Sequence, residues 1–149
     1  MISIEIKNLE SFRKAILSYP EKSVKNFNDA IKSSLLIIQS SATQKAPKDT
    51  GNLKAGWEIN IGTLKGTLRN KMDYAIFVHE GTGIYGPMKR AITPKSKSFL
   101  AWQKDGVWRF ARSVKGMKPR PFLQEAVDEK SDQVNKVFDE ALAKTLKEL

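Results

Sequence analysis

A run of apolar residues at helical spacing constrains the fold of this chain more than any other stretch. Between residues 21 and 46 these side chains recur every three or four positions: Val24, Phe27, Ile31, Leu35, Ile38 and Ala42. Such spacing places them on one face of a helix. Pro20 suits its first turn, and Pro47 ends it because proline lacks a backbone N–H and its ring clashes with the preceding turn. The run therefore predicts a long amphipathic helix that needs an apolar surface to pack against.

The length and composition indicate a single globular domain over residues 1–149. The chain is 40% hydrophobic and 28% charged, and its size gives one core with little room for a second. No cysteine is present, which excludes disulfides, thiolate zinc sites and cysteine nucleophiles. No apolar run reaches the roughly 20 residues of a membrane span, and the sequence does not open like a signal peptide. We therefore expect assembly in a cytoplasm and no membrane partner.

A strand and a first helix are predicted before the long helix. Ile2, Ile4 and Ile6 alternate with polar residues, which is typical of a half-buried strand. Asn8 is a residue type that caps helices, and apolar residues follow it at helical spacing: Leu9, Phe12 and Ile16.

A turn and a hairpin are predicted after the long helix. Asp49-Thr50-Gly51 has the residue types that turns use. Alternation over residues 57–61 then predicts a strand, and Leu68 and Arg69 belong to the strand that returns beside it.

Asp105-Gly106 is the strongest short hairpin signal in the chain. It separates two further strands, at 99–102 and 107–111. Trp108 and Phe110 share one face of the second strand, as residues two apart do, and we expect that face to contact the core.

Two more helices complete the prediction. Asp73 is expected to cap a short helical turn at 74–78, which Gly81 ends. After Pro121, apolar residues keep helical spacing toward the C-terminus: Leu123, Val127, Val134, Phe138, Ala141, Leu142 and Leu146. The order of elements predicts an α+β fold, with a small antiparallel sheet packed against the long helix of the N-terminal half and the C-terminal helix.

Positive charge is concentrated in the middle of the chain. The net charge is +10; residues 81–120 carry ten basic residues and one acidic residue, whereas 121–149 carry four basic and seven acidic. This asymmetry favours contact with a polyanion or an acidic protein surface, with a merely solvated face as the alternative. Residues 81–97 form a loop that we expect to be mobile. Its cations are candidate contacts to DNA or to a partner protein: Lys89, Arg90, Lys95 and Lys97.

Three motifs resemble reactive sites, but each lacks the surroundings that the chemistry needs and is better explained by a structural role. Asp49-Thr50-Gly51 matches the triplet of aspartic proteases, whose chemistry needs strand-rich surroundings and a second aspartate. Residues 81–86 satisfy G-x-G-x-x-G without the strand and helix that bind a pyrophosphate. His79, the single histidine, lacks the further ligands of a zinc site. We therefore expect no catalytic residue, cofactor or metal.

Three segments carry a resemblance to a known family. Residues 45–53 end the long helix, 74–82 follow the first hairpin, and 119–126 open the last helix. Their order and spacing resemble the tail-completion (neck, or head–tail joining) proteins of long-tailed bacteriophages and prophages. The positions that carry the resemblance are Pro47, Asp49, Thr50, Gly51, Tyr74, Glu80, Gly81, Thr82, Pro121, Phe122 and Leu123.

The resemblance implies a non-enzymatic structural protein of the virion. Such a subunit belongs to a homo-oligomeric ring, contacts other neck or tail proteins and touches packaged DNA without sequence specificity. The main alternative is a nucleic-acid-binding module of a mobile element, because Trp102, Trp108 and Phe110 lie among basic residues. Stacking on these aromatics would require an exposed sheet face. A protease or nuclease is the remaining alternative.

Overall fold

The computed structural model describes residues 1–5, 21–48 and 51–148. In chain order its elements are β1 (Ile2–Glu5), α1 (Glu21–Lys45), α2 (Asn52–Ala55), β2 (Trp57–Gly62), β3 (Lys65–Asn70), α3 (Ala75–Glu80), a 3₁₀ turn (Gly83–Tyr85), β4 (Leu100–Lys104), β5 (Val107–Ala111) and α4 (Phe122–Glu148). The predicted first helix with Leu9, Phe12 and Ile16 lies outside the described residues, as do Pro20, Asp49 and Thr50.

The chain forms two compact units: a core unit, residues 1–73 and 122–149, and a basic unit, residues 74–121. The prediction that residues 1–149 fold as a single domain stays a prediction.

The core unit contains a three-stranded antiparallel sheet with strand order β1-β3-β2. Ile4 and Ile59 both pair with Leu68 across the sheet, so the three apolar side chains share a face. Leu68 is completely buried. A Cβ on Gly66 of β3 would lie only 2.4 Å from Ile31 Cγ2 of α1. This glycine therefore allows the sheet to approach the long helix closely.

Helices α1 and α4 of the core unit pack against each other in antiparallel directions. Near the end of α1, Lys45 Nζ lies 2.6 Å from a carboxylate oxygen of Glu129 in the first half of α4. Near the start of α1, Asn26 Nδ2 donates to Thr145 Oγ1 (3.3 Å) and to Glu148 Oε2 (2.8 Å) near the end of α4. Between these contacts lies an apolar cluster, with its members on both helices and at the β2–β3 turn: Phe27, Ala30, Leu64 and Ala141, flanked by Val24, Val137 and Phe138.

These observations confirm the predicted fold class, a small antiparallel sheet packed with a long helix and a C-terminal helix. The apolar face predicted for α1 is buried, with Ile31 and Leu35 at 1% and 0% exposure. The C-terminal helix forms over the predicted positions, but not every apolar residue in it is buried. Leu142 and Leu146 keep the helical spacing but are 42% and 62% exposed. Each directly follows a buried residue, Ala141 or Thr145, and therefore lies on a different face of the helix.

The basic unit contains one short helix and one hairpin. Helix α3 begins two residues later than Asp73, and its N-cap is Tyr74 with no side-chain capping bond, so the prediction of an Asp73 cap was wrong. The helix ends at Gly81, as predicted. Strands β4 and β5 pair as a separate two-stranded sheet. Asp105 and Gly106 both have positive φ, +54° and +77°, the backbone that a tight two-residue hairpin turn requires.

Candidate interaction surface

The β4–β5 hairpin exposes the apolar residues that the sequence analysis expected to contact the core. Trp108 is 62% exposed and Phe110 is 66% exposed, so that expectation was wrong. Alternation along a strand shows which side chains share a face, but it does not show whether another element covers that face. Here most residues of both strands are exposed on both faces.

The register of the hairpin defines its two faces. Gln103 pairs with Trp108 and Ala101 with Phe110; we call the face formed by these four residues the aromatic face. On the opposite side Trp102 pairs with Arg109 and Lys104 pairs with Val107, and we call this the mixed face because it combines apolar and cationic side chains. Val107 is 60% exposed and Trp102 is 37% exposed.

The basic unit, which contains the hairpin, is rich in exposed cations. Residues 74–121 contain ten basic residues, against Glu80 and Asp105 as the acidic ones. All ten basic residues are exposed. The Arg112 guanidinium lies 5.9 Å from the ring centre of Phe99, and Lys118 Nζ lies 5.9 Å from that of Tyr85, both within the range of a cation–π contact. The surface thus offers positive charge beside open aromatic rings.

The first half of the loop at 81–97 is fastened by main-chain hydrogen bonds to the segment after β5. Thr82 N donates to Met117 O (2.9 Å), Ile84 N donates to Lys115 O (2.8 Å), and Ile92 and Val114 exchange a pair of bonds. The mobility predicted for the loop stays a prediction.

Two glycines make this close approach possible. A Cβ on Gly83, whose φ is +65°, would lie 2.0 Å from the carbonyl oxygen of Lys115, and one on Gly116 would lie 2.2 Å from that of Thr82. Since no side chain fits there, the glycine-rich pattern at residues 81–86 has a structural explanation within the basic unit.

A cleft of about 760 Å³ lies within the basic unit. Its apolar lining includes Ile76, Phe77 and Met88, of which Phe77 is 56% exposed and Met88 is 69% exposed. Among the four predicted loop cations, Arg90 and Lys95 line the cleft; Lys89 and Lys97 are exposed elsewhere on the loop. Three positions of the family resemblance also line it: Glu80, Gly81 and Thr82.

The remaining positions of the resemblance support local structure. Gly51 has a φ of +74° and precedes α2. Phe122 and Leu123, just after Pro121, are buried at 1% and 2% exposure at the start of α4. The ring of Phe122 meets Trp57 edge-on, with centroids 6.0 Å apart. Pro47 follows the end of α1, and Tyr74 is the N-cap of α3.

Sequence reasoning missed the exposed aromatic face and the apolar lining of the cleft. One feature of the sequence could have indicated that the hairpin is uncovered. Residues 74–121 contain no amphipathic run of the length found at 21–46, and therefore no helix of their own to cover a sheet face.

No family model, curated protein or solved structure matches the chain. The resemblance to tail-completion proteins therefore depends on the three segments identified above. No cluster of three or more His, Asp or Glu side chains that could hold a metal ion occurs in the described part of the chain. Across the same residues, no helix combines the length and apolar character needed to cross a membrane.

Proposed function

We propose that this chain is a non-enzymatic structural protein of a bacteriophage virion that takes part in head–tail joining. The observation that carries the proposal is the β4–β5 hairpin, which exposes Trp108 and Phe110 to solvent. A lone two-stranded hairpin is marginally stable in water, and exposed apolar patches mark interaction surfaces. A protein whose role is to be covered by neighbours accounts for such a surface. The order of the three family-like segments supplies the biological setting.

In this role the core unit is the scaffold, and the hairpin of the basic unit contacts other virion proteins. Copies of the chain form a ring within the virion, and other neck or tail proteins cover the aromatic face. The exposed cations Lys89, Arg90, Lys95 and Lys97 neutralise phosphates of packaged DNA or meet an acidic partner.

Deleting the gene from the phage or prophage that encodes it tests the proposal. Electron microscopy should then show filled heads and separate tails, and the infectious titre should collapse. Wild-type protein supplied from a plasmid should restore joined particles, whereas a Trp108→Ala/Phe110→Ala variant should not. Leu36→Ala is the matched control, because it removes an exposed apolar side chain, 48% accessible, from α1 of the core unit. Joined, infectious particles in the absence of the protein would overturn the proposal.

The exposure of the same aromatics also favours a second candidate, a module that binds single-stranded nucleic acid. The requirement for an open sheet face is met at Trp108 and Phe110. Base stacking on such rings contributes about 1–3 kcal/mol per base, and phosphate contacts make binding strongly salt-dependent. Fluorescence anisotropy with a labelled oligonucleotide at low and high salt separates the candidates. Salt-sensitive micromolar binding that Trp108→Ala weakens supports this second function, and no binding at low salt excludes it.

A further inference from the structure

The mixed face of the hairpin carries a chemical pattern that calls for a particular partner. Val107 and Trp102 supply exposed apolar area, and Lys104 and Arg109 supply two positive charges beside it. No ion pair to Lys104 or Arg109 is formed by any side chain among the described residues. A complementary surface must therefore combine apolar side chains with carboxylates, spaced to match strands of five residues, about 17 Å long.

Helix α4 presents such a surface on its outer side. The positions concerned are three or four residues apart and all exposed: Asp128, Asp132, Asn135, Asp139, Leu142 and Leu146. We call this row the outer stripe of α4. Residues at these intervals lie on one helical face, and from first to last the stripe is about 27 Å long at 1.5 Å per residue.

The carboxylates of the outer stripe have little to neutralise them. Asp128 accepts a hydrogen bond from Gln124 Nε2 at 2.8 Å, and neither Asp132 nor Asp139 forms an ion pair within the described part of the chain. Glu129, on another face of the same helix, pairs with both Lys45 and Lys130. The stripe thus exposes carboxylates that form no ion pair among the described residues, next to two leucines.

We propose that the mixed face of one copy docks on the outer stripe of α4 of a second copy. Lys104 and Arg109 meet Asp132 and Asp139, and Val107 and Trp102 cover Leu142, the leucine of the stripe that lies next to these carboxylates. Burial of the apolar pairs supplies affinity, and the charge pairs fix register and orientation. The inference rests on the proposed function for its place in a virion, and it identifies the contact that joins neighbouring subunits.

The two surfaces differ, so the contact is heterologous. Each docked copy leaves one mixed face and one outer stripe free, and the assembly grows until a ring closes or a filament forms. The aromatic face on the other side of the hairpin stays available to a different partner. This separation of faces makes the proposal testable without any other phage component.

Sedimentation velocity of the purified chain over a range of concentrations is the first test. We expect wild type to pass from monomer to closed oligomers as concentration rises. Arg109→Glu and Asp139→Lys should each weaken association about tenfold or more, whereas combining both in one chain should restore it. Asp132→Lys is a second helix variant, and circular dichroism melting checks that every variant is folded. Ala101→Glu, which adds a negative charge at an exposed position of the aromatic face, is the matched control and should associate like wild type.

Mixing two defective variants tests the head-to-tail geometry. Leu142→Glu keeps an intact mixed face, and Arg109→Glu keeps an intact outer stripe. The altered surfaces are both acidic and repel each other. An equimolar mixture should therefore stop at the dimer, which has one working contact and two blocked ends.

Three results would overturn the contact: a wild type that stays monomeric at all concentrations, association unaffected by the charge reversals, or oligomers that form only when an oligonucleotide is added. These outcomes separate it from the proposed function. If head–tail joining requires the protein but the purified chain stays monomeric, the contact fails alone. If the chain associates as described but particles join without it, the proposed function fails alone.

Discussion

The core unit and the basic unit use apolar residues in opposite ways. In the core unit Leu35 and Leu68 are fully buried, because helices of 25 and 27 residues supply apolar faces to a three-stranded sheet. In the basic unit the longest helix has 6 residues, and Trp108 and Phe110 remain open to solvent. Long helices therefore supply the stability of the core unit, whereas the hairpin is free to bind a partner.

The two units also satisfy their polar backbone differently. Asn70 in the core unit is completely buried; its Nδ2 donates to Leu53 O at 2.6 Å and its Oδ1 accepts from Met72 N at 3.1 Å. In the basic unit, main-chain hydrogen bonds link neighbouring segments, and Gly83 and Gly116 allow the two backbones to approach closely enough to form them. A buried side-chain amide thus braces a turn of the core unit, whereas close backbone contact, together with the bond from Met117 N to Thr82 Oγ1 (2.9 Å), braces a loop of the basic unit.

Truncation of a buried side chain in the core unit should change the free energy of unfolding most. Leu35→Ala removes a fully buried side chain between α1 and the sheet, and we expect it to lower the free energy of unfolding by about 2–5 kcal/mol. Trp108→Ala removes a larger side chain from an exposed site and should change the same quantity by no more than about 0.5 kcal/mol. Urea denaturation followed by far-ultraviolet circular dichroism measures both. Similar losses in the two variants would show that the hairpin also belongs to the folding core.

Removing the buried amide should have the next largest effect. Asn70→Ala leaves the carbonyl of Leu53 and the N–H of Met72 without their bonds, and a buried polar group without a partner costs about 1–3 kcal/mol. Asn60→Ala, on an exposed position of β2, is the control and should be close to neutral. The same denaturation measurement compares them. A neutral Asn70→Ala would mean that the amide is not needed to hold the turn before β2.

Much of the core unit could be predicted from the sequence, because its elements are long and periodic. The spacing from Val24 to Ala42 predicted α1 and its apolar face. Alternation over residues 57–61 predicted β2, and Leu68 and Arg69 indicated the strand that returns beside it. Gly66 shows what pattern alone does not reveal. Its role depends on Ile31 and Leu35, which approach it only after the chain has folded.

The basic unit was predicted less well for a physical reason. Asp105-Gly106 located the hairpin correctly, since turn type depends on local backbone conformation. Whether Trp108 is covered depends on elements far away in sequence, and alternation carries no information on that. The cleft beside Phe77 and Met88 was missed for the same reason, because a cleft depends on how several loops meet.

A glycine substitution should perturb the basic unit alone. Gly83→Ala places a Cβ 2.0 Å from Lys115 O at a positive φ, and we expect it to break the Ile84–Lys115 hydrogen bond. Amide hydrogen exchange should then accelerate at Ile84 and Val114, with little change along α1. Gly106→Ala is a matched control, because its φ is also positive at +77° but nothing lies within 4 Å of the added atom. It should cost only the left-handed strain, about 1–2 kcal/mol.

The same exchange experiment tests the mobility predicted for the loop at 81–97. Amides at Thr82, Ile84 and Ile92 donate hydrogen bonds and should be protected, whereas those at 95–97 should exchange rapidly. Strong protection across residues 81–97 in the isolated chain would contradict the predicted mobility, and protection at Thr82, Ile84 and Ile92 alone would restrict mobility to the rest of the loop.

The weakest change that we expect is in the pH dependence of stability, through a charge cluster in the core sheet. Hydrogen bonding from Arg69, with a weaker contribution from Lys71, holds the pKa of Glu58 below its usual 4.5 despite some opposing desolvation. A carboxyl group whose pKa is lower in the folded state stabilises the protein above the unfolded pKa, and this stabilisation is lost as the pH falls through the folded pKa. Glu58→Gln should therefore unfold slightly more easily than wild type at neutral pH, and the difference should vanish in acid. Thermal melts from pH 7 down to below pH 4 measure it, with Glu140→Gln, an exposed carboxylate within α4 and away from its first turn, as control. An unchanged difference at every pH would show that Arg69 and Lys71 stabilise the sheet by packing rather than by charge.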